Sequence, residues 1–412
     1  MKNEIRHRKW KATTTAKWSS WWLTLLAAVW LLLPSACSNS ESEPVATEEK
    51  KPTMLSIYVY APDRPIMTRA DIGNVAAETE QESVINNLQI WVFTHGANKF
   101  VGYLNPSPDK LNSDKQDIYM MQVDDDFVAN RPAVDVYVLA NVTDDNCGIS
   151  FDGANEASDF SSARIGHQNN NDYFGLTNLT TTIPSDGLPM SGVLYNQAIT
   201  GESPVFRIGS GDQIATVKLT RIVSKLRFLF SQNASSTEDV RINAITIKED
   251  IVPTEEYLFL EESEEIDDGR RTHVGNDYEP QTELTNSIGI EGAIAKCEDP
   301  MVYLYKDGQE AQDYEDKLQE GLTKTTPELT MTGPFYLRES DKKLSGTIHY
   351  TVDGQERTAT FPIESDSDPE GNFQRNHTLV VYSYFSGGDR LEVNSVFVKW
   401  NEWNRIQSVY NW

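Results

Sequence analysis

The clearest pattern of apolar and polar positions is a short alternating run, Met54–Tyr60, near the start of the chain. Leu55, Ile57 and Val59 alternate with polar and aromatic side chains, so the three aliphatic side chains share one face of an extended strand. Two prolines follow within five residues and end the run. The pattern predicts a β-strand that buries one aliphatic row.

Similar β-type runs recur along the rest of the chain, whereas long helical periods are rare. Tyr, Thr, Val and Ile are frequent, and an Asp-Gly pair at 353–354 suits a type I′ hairpin turn. A polar stretch over 143–180 predicts a long loop or an insertion. The pattern therefore predicts an all-β protein, with strands at Val84–Phe93, Lys99–Leu104, Ile118–Val123, Val134–Val142, Val205–Ile208, Ile214–Leu219, Thr220–Phe230, Val240–Ile247, Met301–Tyr305, Phe335–Leu337, Leu344–Val352, Gln355–Ile363, His377–Phe385 and Leu391–Trp400.

The N-terminus has the features of a bacterial lipoprotein signal. A basic segment precedes an apolar run from Trp21 to Leu33, which is short for a bilayer core of about 30 Å. Ser35 and Ala36 are the small residues that precede signal cleavage, and Cys37 follows them directly. Pro34 stands where such signals usually carry Leu. We expect residues 1–36 to be a signal peptide and Cys37 to carry lipid; an ordinary secretory signal and a membrane-spanning anchor are the alternatives.

The chain is strongly acidic, with a formal net charge of −26. This charge argues against nucleic acid or an anionic membrane surface as a partner. The length predicts two domains, and we place their boundary at 219/220. Cys147 and Cys297 would then fall in different domains, which favours two buried thiols over the disulfide that an extracytoplasmic compartment permits.

The sequence contains no convincing active site. Its histidines lack metal-ligand spacing, and neither a Gly-x-Ser-x-Gly elbow nor a phosphate loop is present. The run 366–371 has part of a calcium-loop spacing, but Pro369 interrupts it and His377 stands where a bidentate Glu belongs; the run 124–126 is weaker still. We therefore expect no enzyme activity, no cofactor and no metal.

Several short elements, taken in order, resemble the fimbrillin family of type V pili in Bacteroidota. The first two of these elements are the lipoprotein signal and the strand that leads to Arg69 and Ala70. Their order along the chain carries more weight than any single one. The remaining elements are Val84–Phe93, the Pro-Met-Ser-Gly run in Leu188–Gly192, Leu219–Leu226, which resembles the family's Leu-x-Arg-x-Val-Ala-Lys segment with Ser224 where Ala is common, Gln374–His377, and Val396–Trp400.

The resemblance implies a fold, a processing route and a set of partners. It implies two transthyretin-like β-sandwich domains, 70–219 and 220–412, after a lipid-anchored segment 37–69 that includes a removable first strand. An arginine-specific protease would cut between Arg69 and Ala70, and the groove left behind would accept a strand from another fimbrial subunit, identical or different. The protein would be a stalk, tip or anchor subunit supporting adhesion. It would reach the outer face of the outer membrane through its lipid.

The resemblance also implies that a C-terminal strand acts as the donor. Residues 406–412 keep an alternation, and the donor-strand candidates on one side are Ile406, Ser408, Tyr410 and Trp412.

Other interpretations remain open on the residues alone. Residues 54–60 could be a permanent strand and Arg69 an ordinary surface residue, and the C-terminal run could be an edge strand of its own domain. A surface glycan-binding lipoprotein with exposed aromatic side chains is the second functional hypothesis, and a secreted hydrolase is the third.

Overall fold

The computed structural model describes residues 51–60, 80–107, 111, 117–166, 173–176, 181–259, 277–284, 290–297, 330–361, 372–373, 375–388 and 390–399. These residues all belong to one compact unit, Lys51–Trp412. None of the helices in this described part is long and apolar enough to span a membrane.

The fold is all-β, as predicted. The described residues up to 221 contain twelve strands: β1 Met54–Tyr60, β2 Leu88–Thr94, β3 Phe100–Leu104, β4 Asp117–Gln122, β5 Val134–Ala140, β6 Arg164–Gly166, β7 Met190–Gln197, β8 Ile199–Glu202, β9 Val205–Ser210, β10 Gln213–Ile214, β11 Thr216–Lys218 and β12 Thr220–Arg221; they are called the first half below.

The part of the second half that the structure describes contains thirteen more: β13 Val223–Asn233, β14 Val240–Ile247, β15 Glu255–Tyr257, β16 Thr282–Glu283, β17 Lys296–Cys297, β18 Thr330–Met331, β19 Phe335–Arg338, β20 Ser340–Lys343, β21 Gly346–Val352, β22 Gln355–Phe361, β23 Asn372–Phe373, β24 His377–Phe385 and β25 Leu391–Lys399. The helices are short: a 3-10 turn at Glu80–Ser83, then α1 Asp125–Asn130, α2 Asp144–Cys147 and α3 Ala157–Ser161.

Two sheets from the first half face each other across one aliphatic core. The six-stranded sheet runs β10-β9-β1-β11, with β4 paired to β1 and β8 to β9. The five-stranded sheet runs β12-β7-β5-β2-β3. Alternate residues of β1, β2 and β5 meet in the core between them, because successive side chains of a strand point to opposite faces.

The second half repeats the plan with two further sheets. One contains β17-β13-β24-β25 with β18 and β19 on β13, and the other runs β16-β14-β21-β22. Their shared core lies almost wholly after residue 219. The β21–β22 hairpin has the predicted type I′ turn, with φ of 50° at Asp353 and 78° at Gly354. The division into domains at 219/220 stays a prediction.

One detail of the first half differs from the prediction. The strand predicted from Val84 begins only at Leu88, because the amides of Asn86 and Asn87 donate to Asn141 Oδ1 at 2.8 and 3.3 Å and so do not need a sheet partner. The polar stretch over 143–180, predicted as a long loop or an insertion, is an insertion, because its described part contains α2, α3 and β6.

This insertion has an aromatic core of its own. The Phe160 ring stacks on Phe151 at 5.3 Å and on Tyr137 of β5 at 5.0 Å, which covers the outer face of the five-stranded sheet. Phe259 and Tyr336, from the second half of the chain, join the same cluster. The insertion therefore joins the outer face of the first sandwich to residues of the second half.

Candidate functional site

The strand β1 lies inside its sheet rather than at an edge. It pairs antiparallel with β4 over Met54–Val59 on one side. On its other side it pairs parallel with β9 at Met54–Ser56 and with β11 at Tyr58–Tyr60. Both rows of its backbone hydrogen-bonding groups are thus satisfied by neighbours that come later in the sequence.

The predicted aliphatic row of β1 is confirmed. Leu55, Ile57 and Val59 are 0, 1 and 3 % exposed and lie in the core between the two sheets. Burying an aliphatic side chain of this size contributes about 1.5–3 kcal/mol. The burial of these three side chains therefore stabilises β1 in its sheet.

On the opposite face of β1, the side chains become more exposed from Ser56 to Tyr60. The hydroxyl of Ser56, itself 5 % exposed, donates to the carbonyl oxygen of Phe206 at 3.0 Å. Tyr58 is half-buried and Tyr60 is 39 % exposed. This face therefore buries the hydroxyl of Ser56 and leaves the rings at 58 and 60 partly exposed.

Hydrogen bonds to other segments of the same chain also hold both ends of β1. At its start, the Met54 amide donates to Pro204 O at 2.8 Å, and the Thr53 hydroxyl donates to the carboxylate of Asp125 in α1. At its end, the Leu219 amide donates to Tyr60 O at 2.9 Å. If β1 left, β4, β9 and β11 would present unpaired edges around an apolar trough, which is a ready template for another strand.

A buried polar network fixes the chain shortly after residues 61–79. The Glu82 carboxylate is fully buried, lies 2.8 Å from Lys225 Nζ and accepts from the Tyr336 hydroxyl at 2.7 Å. Arg221 Nε donates to the Glu82 carbonyl at 2.9 Å, and Arg221 Nη1 donates to Asn376 Oδ1 at 3.0 Å. Hydrogen bonds and an ion pair from later parts of the chain thus hold the 3-10 turn at Glu80–Ser83, and β1 takes no part in them.

This network gives a structural role to two of the short elements noted in the sequence. Arg221 and Lys225 come from the Leu-x-Arg-x-Val-Ser-Lys run, and Asn376 comes from the late Arg-Asn pair. Burial lowers the pKa of Lys225 to about 8, although the Glu82 carboxylate opposes the shift. The sequence did not reveal Glu82, because it lies at the end of a polar, acidic run, 70–82, in which a buried carboxylate has no local signal.

A second buried cluster contains two carboxyl groups and one guanidinium. Arg375 Nη2 lies 2.5 Å from Glu339 Oε1 and 3.8 Å from Glu256 Oε2. Glu256 Oε2 also accepts from the Glu339 amide at 3.0 Å, while its Oε1 has no hydrogen-bond partner. Burial, with the nearby Glu339 carboxylate adding to it, raises the pKa of Glu256 well above the ordinary carboxyl range despite Arg375.

Metal-ligating side chains and thiols are the remaining candidates for chemistry among the described residues. No group of three or more His, Cys, Asp or Glu side chains among them could hold a metal ion. Cys147 and Cys297 are both buried free thiols, as predicted. An open groove of about 630 Å³ lies between the β2–β3 hairpin and α1 and borders the acidic run at 124–126.

The remaining predicted site residues lie outside the described part of the chain. They are Cys37, Arg69, Ala70, Ile406, Ser408, Tyr410 and Trp412, together with the partial calcium spacing at 366–371 and the strand predicted at Met301–Tyr305.

Comparison with known proteins places these features in context. Residues 53–221 match the family model of the major fimbrial subunit protein (FimA). Among curated protein sequences, none matches this chain.

Solved structures similar to this chain include three fimbrial proteins. The tip fimbrial protein Mfa3 of Porphyromonas gingivalis, truncated at its C-terminus, is 14 % identical with a TM-score of 0.45, covering 85 % of this chain and 100 % of its own. The fimbrilin FimA of the same organism is 12 % identical with a TM-score of 0.43, covering 85 and 98 %. A fimbrial assembly protein of Parabacteroides distasonis is 12 % identical with a TM-score of 0.39, covering 83 and 94 %.

Proposed function

We propose, from the premise that this chain belongs through residues 53–221 to the major fimbrial subunit (FimA) family, that it is a fimbrial subunit assembled by strand exchange. The family is one of structural subunits at the cell surface, which favours a non-enzymatic role in a fimbria that supports adhesion. The finer steps below, from lipid attachment to polymer growth, are our proposal.

The observation that carries the proposal is the position of β1. It is an interior strand of its sheet, yet only residues 61–79 connect it to the rest of the fold on its C-terminal side, and Arg69 lies within them. A single cut there would separate β1 from every strand it pairs with. Few places in a β-sandwich allow one cut to free a central strand and leave the other strands covalently joined.

The proposed route has three steps. Lipid on Cys37 holds the precursor on the outer membrane. An arginine-specific protease then cuts between Arg69 and Ala70, and residues 37–69 leave with β1. A strand from a neighbouring subunit fills the groove, where backbone hydrogen bonds to β4, β9 and β11 supply affinity and the vacated aliphatic sites supply fit.

The Glu82 network explains how the mature chain would keep its shape during this exchange. Residues 80–83 are held by Arg221, Lys225 and Tyr336, all of which come from later parts of the chain than β1. The new N-terminal segment would therefore stay attached at Glu82 when β1 departs. The groove would open without loss of the adjoining chain.

The test compares two arginines in the same connecting segment. Arg69→Ala should leave a longer, lipid-anchored subunit and abolish the polymer ladder on a denaturing gel run without boiling. Arg64→Ala is the matched control, because Pro65 follows Arg64 and makes that bond a poor protease substrate. Polymers of normal length from Arg69→Ala cells would show that cleavage there does not trigger assembly.

A further inference from the structure

The Glu82 network holds an amine and a carboxyl group in direct contact in the protein interior. Lys225 Nζ lies 2.8 Å from Glu82 Oε1 and 3.1 Å from Glu82 Oε2, and both side chains are fully buried. With both oxygens this close, the carboxyl carbon lies within the separation of about 3–3.5 Å that favours reaction between two groups. The pair therefore contains the two parts of an amide bond, held side by side.

We propose that Lys225 and Glu82 condense after folding to an isopeptide bond between Lys225 Nζ and the side-chain carboxyl carbon of Glu82. The bond does not depend on strand exchange, because both residues lie after residue 69 and belong to the uncut and the cut chain alike. The reaction uses only the side chains of this chain. It would add a covalent cross-link between the 3-10 turn at Glu80–Ser83 and β13.

The atoms and charges of the reaction balance within the pair. One proton of the Lys225 ammonium passes to Glu82 Oε2, to which Nζ already donates, and this leaves a neutral amine beside a neutral carboxyl group. The nitrogen lone pair attacks the carboxyl carbon and forms the C–N bond. A second proton moves from nitrogen to Oε2, the bond from carbon to Oε2 breaks, and Oε2 leaves as water. The third proton stays on the amide nitrogen, and one positive and one negative charge are lost.

The surroundings of the pair favour the neutral amine that this attack requires. Burial lowers the pKa of Lys225 to about 8, and the positive charges of Arg227 and Arg221 add to the shift, although the Glu82 carboxylate opposes it. Two charges inside a protein also carry a desolvation penalty that their attraction offsets only in part. A neutral amide at the same place has no such penalty, so the buried site favours the product.

Tyr336 is positioned to assist the attack. Its hydroxyl donates to Glu82 Oε1 at 2.7 Å, and Oε1 is the oxygen that would remain as the amide carbonyl. Negative charge would develop on this oxygen in the tetrahedral intermediate, and a fixed donor in a buried site stabilises such a charge. Burial raises the pKa of Tyr336 far above its ordinary value, so the phenol keeps the proton that it donates.

Two other buried ion pairs lack this chemistry. Arg338 contacts Glu279, and Arg375 contacts Glu339, so the cation in each pair is a guanidinium group. A guanidinium group stays protonated and its charge is delocalised, which makes it a poor nucleophile. Of the three pairs, only the one that contains Lys225 can condense.

The bond would close most of the first half into a covalent loop. Every strand from β2 to β12 lies between residues 82 and 225, whereas β1 lies before them. Tension on the two ends of the chain could not extend the residues inside this loop. The first sandwich would therefore resist unfolding under load, as a surface fimbria requires, while β1 would stay outside the loop.

Tryptic peptide mapping of the full-length chain tests the proposal. Trypsin cuts after Lys and Arg, so an ordinary ion pair gives two separate peptides, residues 70–99 and 222–225. The isopeptide bond blocks the cut at Lys225, so residues 70–99 should appear joined to residues 222–227, with a mass one water below the sum of the two peptides. Recovery of the joined peptide from most chains supports the proposal. Recovery of only the separate peptides overturns it.

Two variants test the roles of the individual groups. Lys225→Arg keeps a positive charge beside Glu82 but has no amine, so it should lose the joined peptide and, after boiling in detergent, migrate more slowly than the looped wild-type chain. If Lys225→Arg does not fold, the wild-type digest still decides, because it needs no variant. Tyr336→Phe should slow the appearance of the joined peptide after synthesis about tenfold or more, because the donor to Oε1 is removed. An unchanged rate would overturn the role assigned to Tyr336.

Discussion

The substitution Ile57→Ala distinguishes a removable strand from a permanent one. Ile57 is 1 % exposed and lies at the centre of the aliphatic row, between Leu55 and Val59. Ile→Ala substitutions in a core cost about 2–5 kcal/mol, and the central position, packed from both sheets, leads us to expect about 3 kcal/mol. The uncut precursor should therefore unfold at a clearly lower urea concentration.

The same substitution should have no effect on mature fimbriae. If residues 37–69 are removed during maturation, fimbriae assembled from Ile57→Ala precursor contain the same polypeptide as wild-type fimbriae. The matched control is Ile90→Ala in β2, which removes an equally buried side chain from the same core but stays in the mature chain. Ile90→Ala should weaken the precursor and the fimbriae alike.

The assay is urea denaturation of purified precursor and of purified fimbriae, followed by circular dichroism for the first and by gel ladder for the second. The urea midpoint should be lowered for both variant precursors. Among the fimbriae, it should be lowered for Ile90→Ala and unchanged for Ile57→Ala. If Ile57→Ala fimbriae also dissociated at lower urea concentration, residue 57 would still be present in the polymer, and the strand-exchange account would be refuted.

Three further predictions follow from the buried charges and the N-terminus. Glu82→Ala should cost about 3–5 kcal/mol of unfolding free energy in the urea assay, because it leaves Lys225 buried without its carboxylate, whereas Gln81→Ala, at an exposed position of the same turn, should change little. The pKa of Glu256 is raised in the fold, so the folded protein keeps a proton that the unfolded chain gives up, and the folded protein loses stability as the pH rises above about 4.5. Glu256→Gln should therefore flatten the dependence of Tm on pH and raise Tm at pH 7. An unchanged pH profile would contradict this. Cys37→Ala should abolish incorporation of an alkyne fatty acid into the precursor, and a labelled Cys37→Ala protein would exclude lipid on that thiol.

The sequence predicted β1 fully because its alternation is strict and its ends are marked by prolines and a polar linker. Met54–Tyr60, Val240–Ile247 and His377–Phe385 begin and end where the pattern placed them. Each of these strands is made mostly of aliphatic, aromatic and β-branched residues, so local preference and tertiary burial agree.

The misplaced boundary at Val84 and the insertion show where local pattern is insufficient. Asn86 and Asn87 directly precede β2, and no proline or glycine separates them from it. The side chain of the distant Asn141 nevertheless accepts hydrogen bonds from their backbone amides, so the strand does not extend to them. Phe151 and Phe160 stand in a polar stretch without any period, so only the fold reveals that they stack. Contacts of this kind depend on residues far apart in sequence, which periodicity does not report.

The buried charges were the least predictable part of the candidate site. A Glu such as Glu82, in a polar run, is normally solvent-exposed, and nothing local distinguishes it from its neighbours. Its partners Lys225 and Tyr336 are 143 and 254 residues away. The interior position of β1, which carries the functional proposal, was likewise visible only once β4, β9 and β11 were seen to pair with it.

The most direct test of the account is the N-terminal residue of the subunit in intact fimbriae. Fimbriae sheared from the cell surface can be digested and analysed by mass spectrometry after chemical labelling of free α-amines. The account predicts a labelled Ala70 and no peptide from residues 37–69. A labelled residue before Met54, or peptides that contain Leu55 and Ile57 in stoichiometric amounts, would show that β1 remains in the assembled subunit and would contradict the central claim.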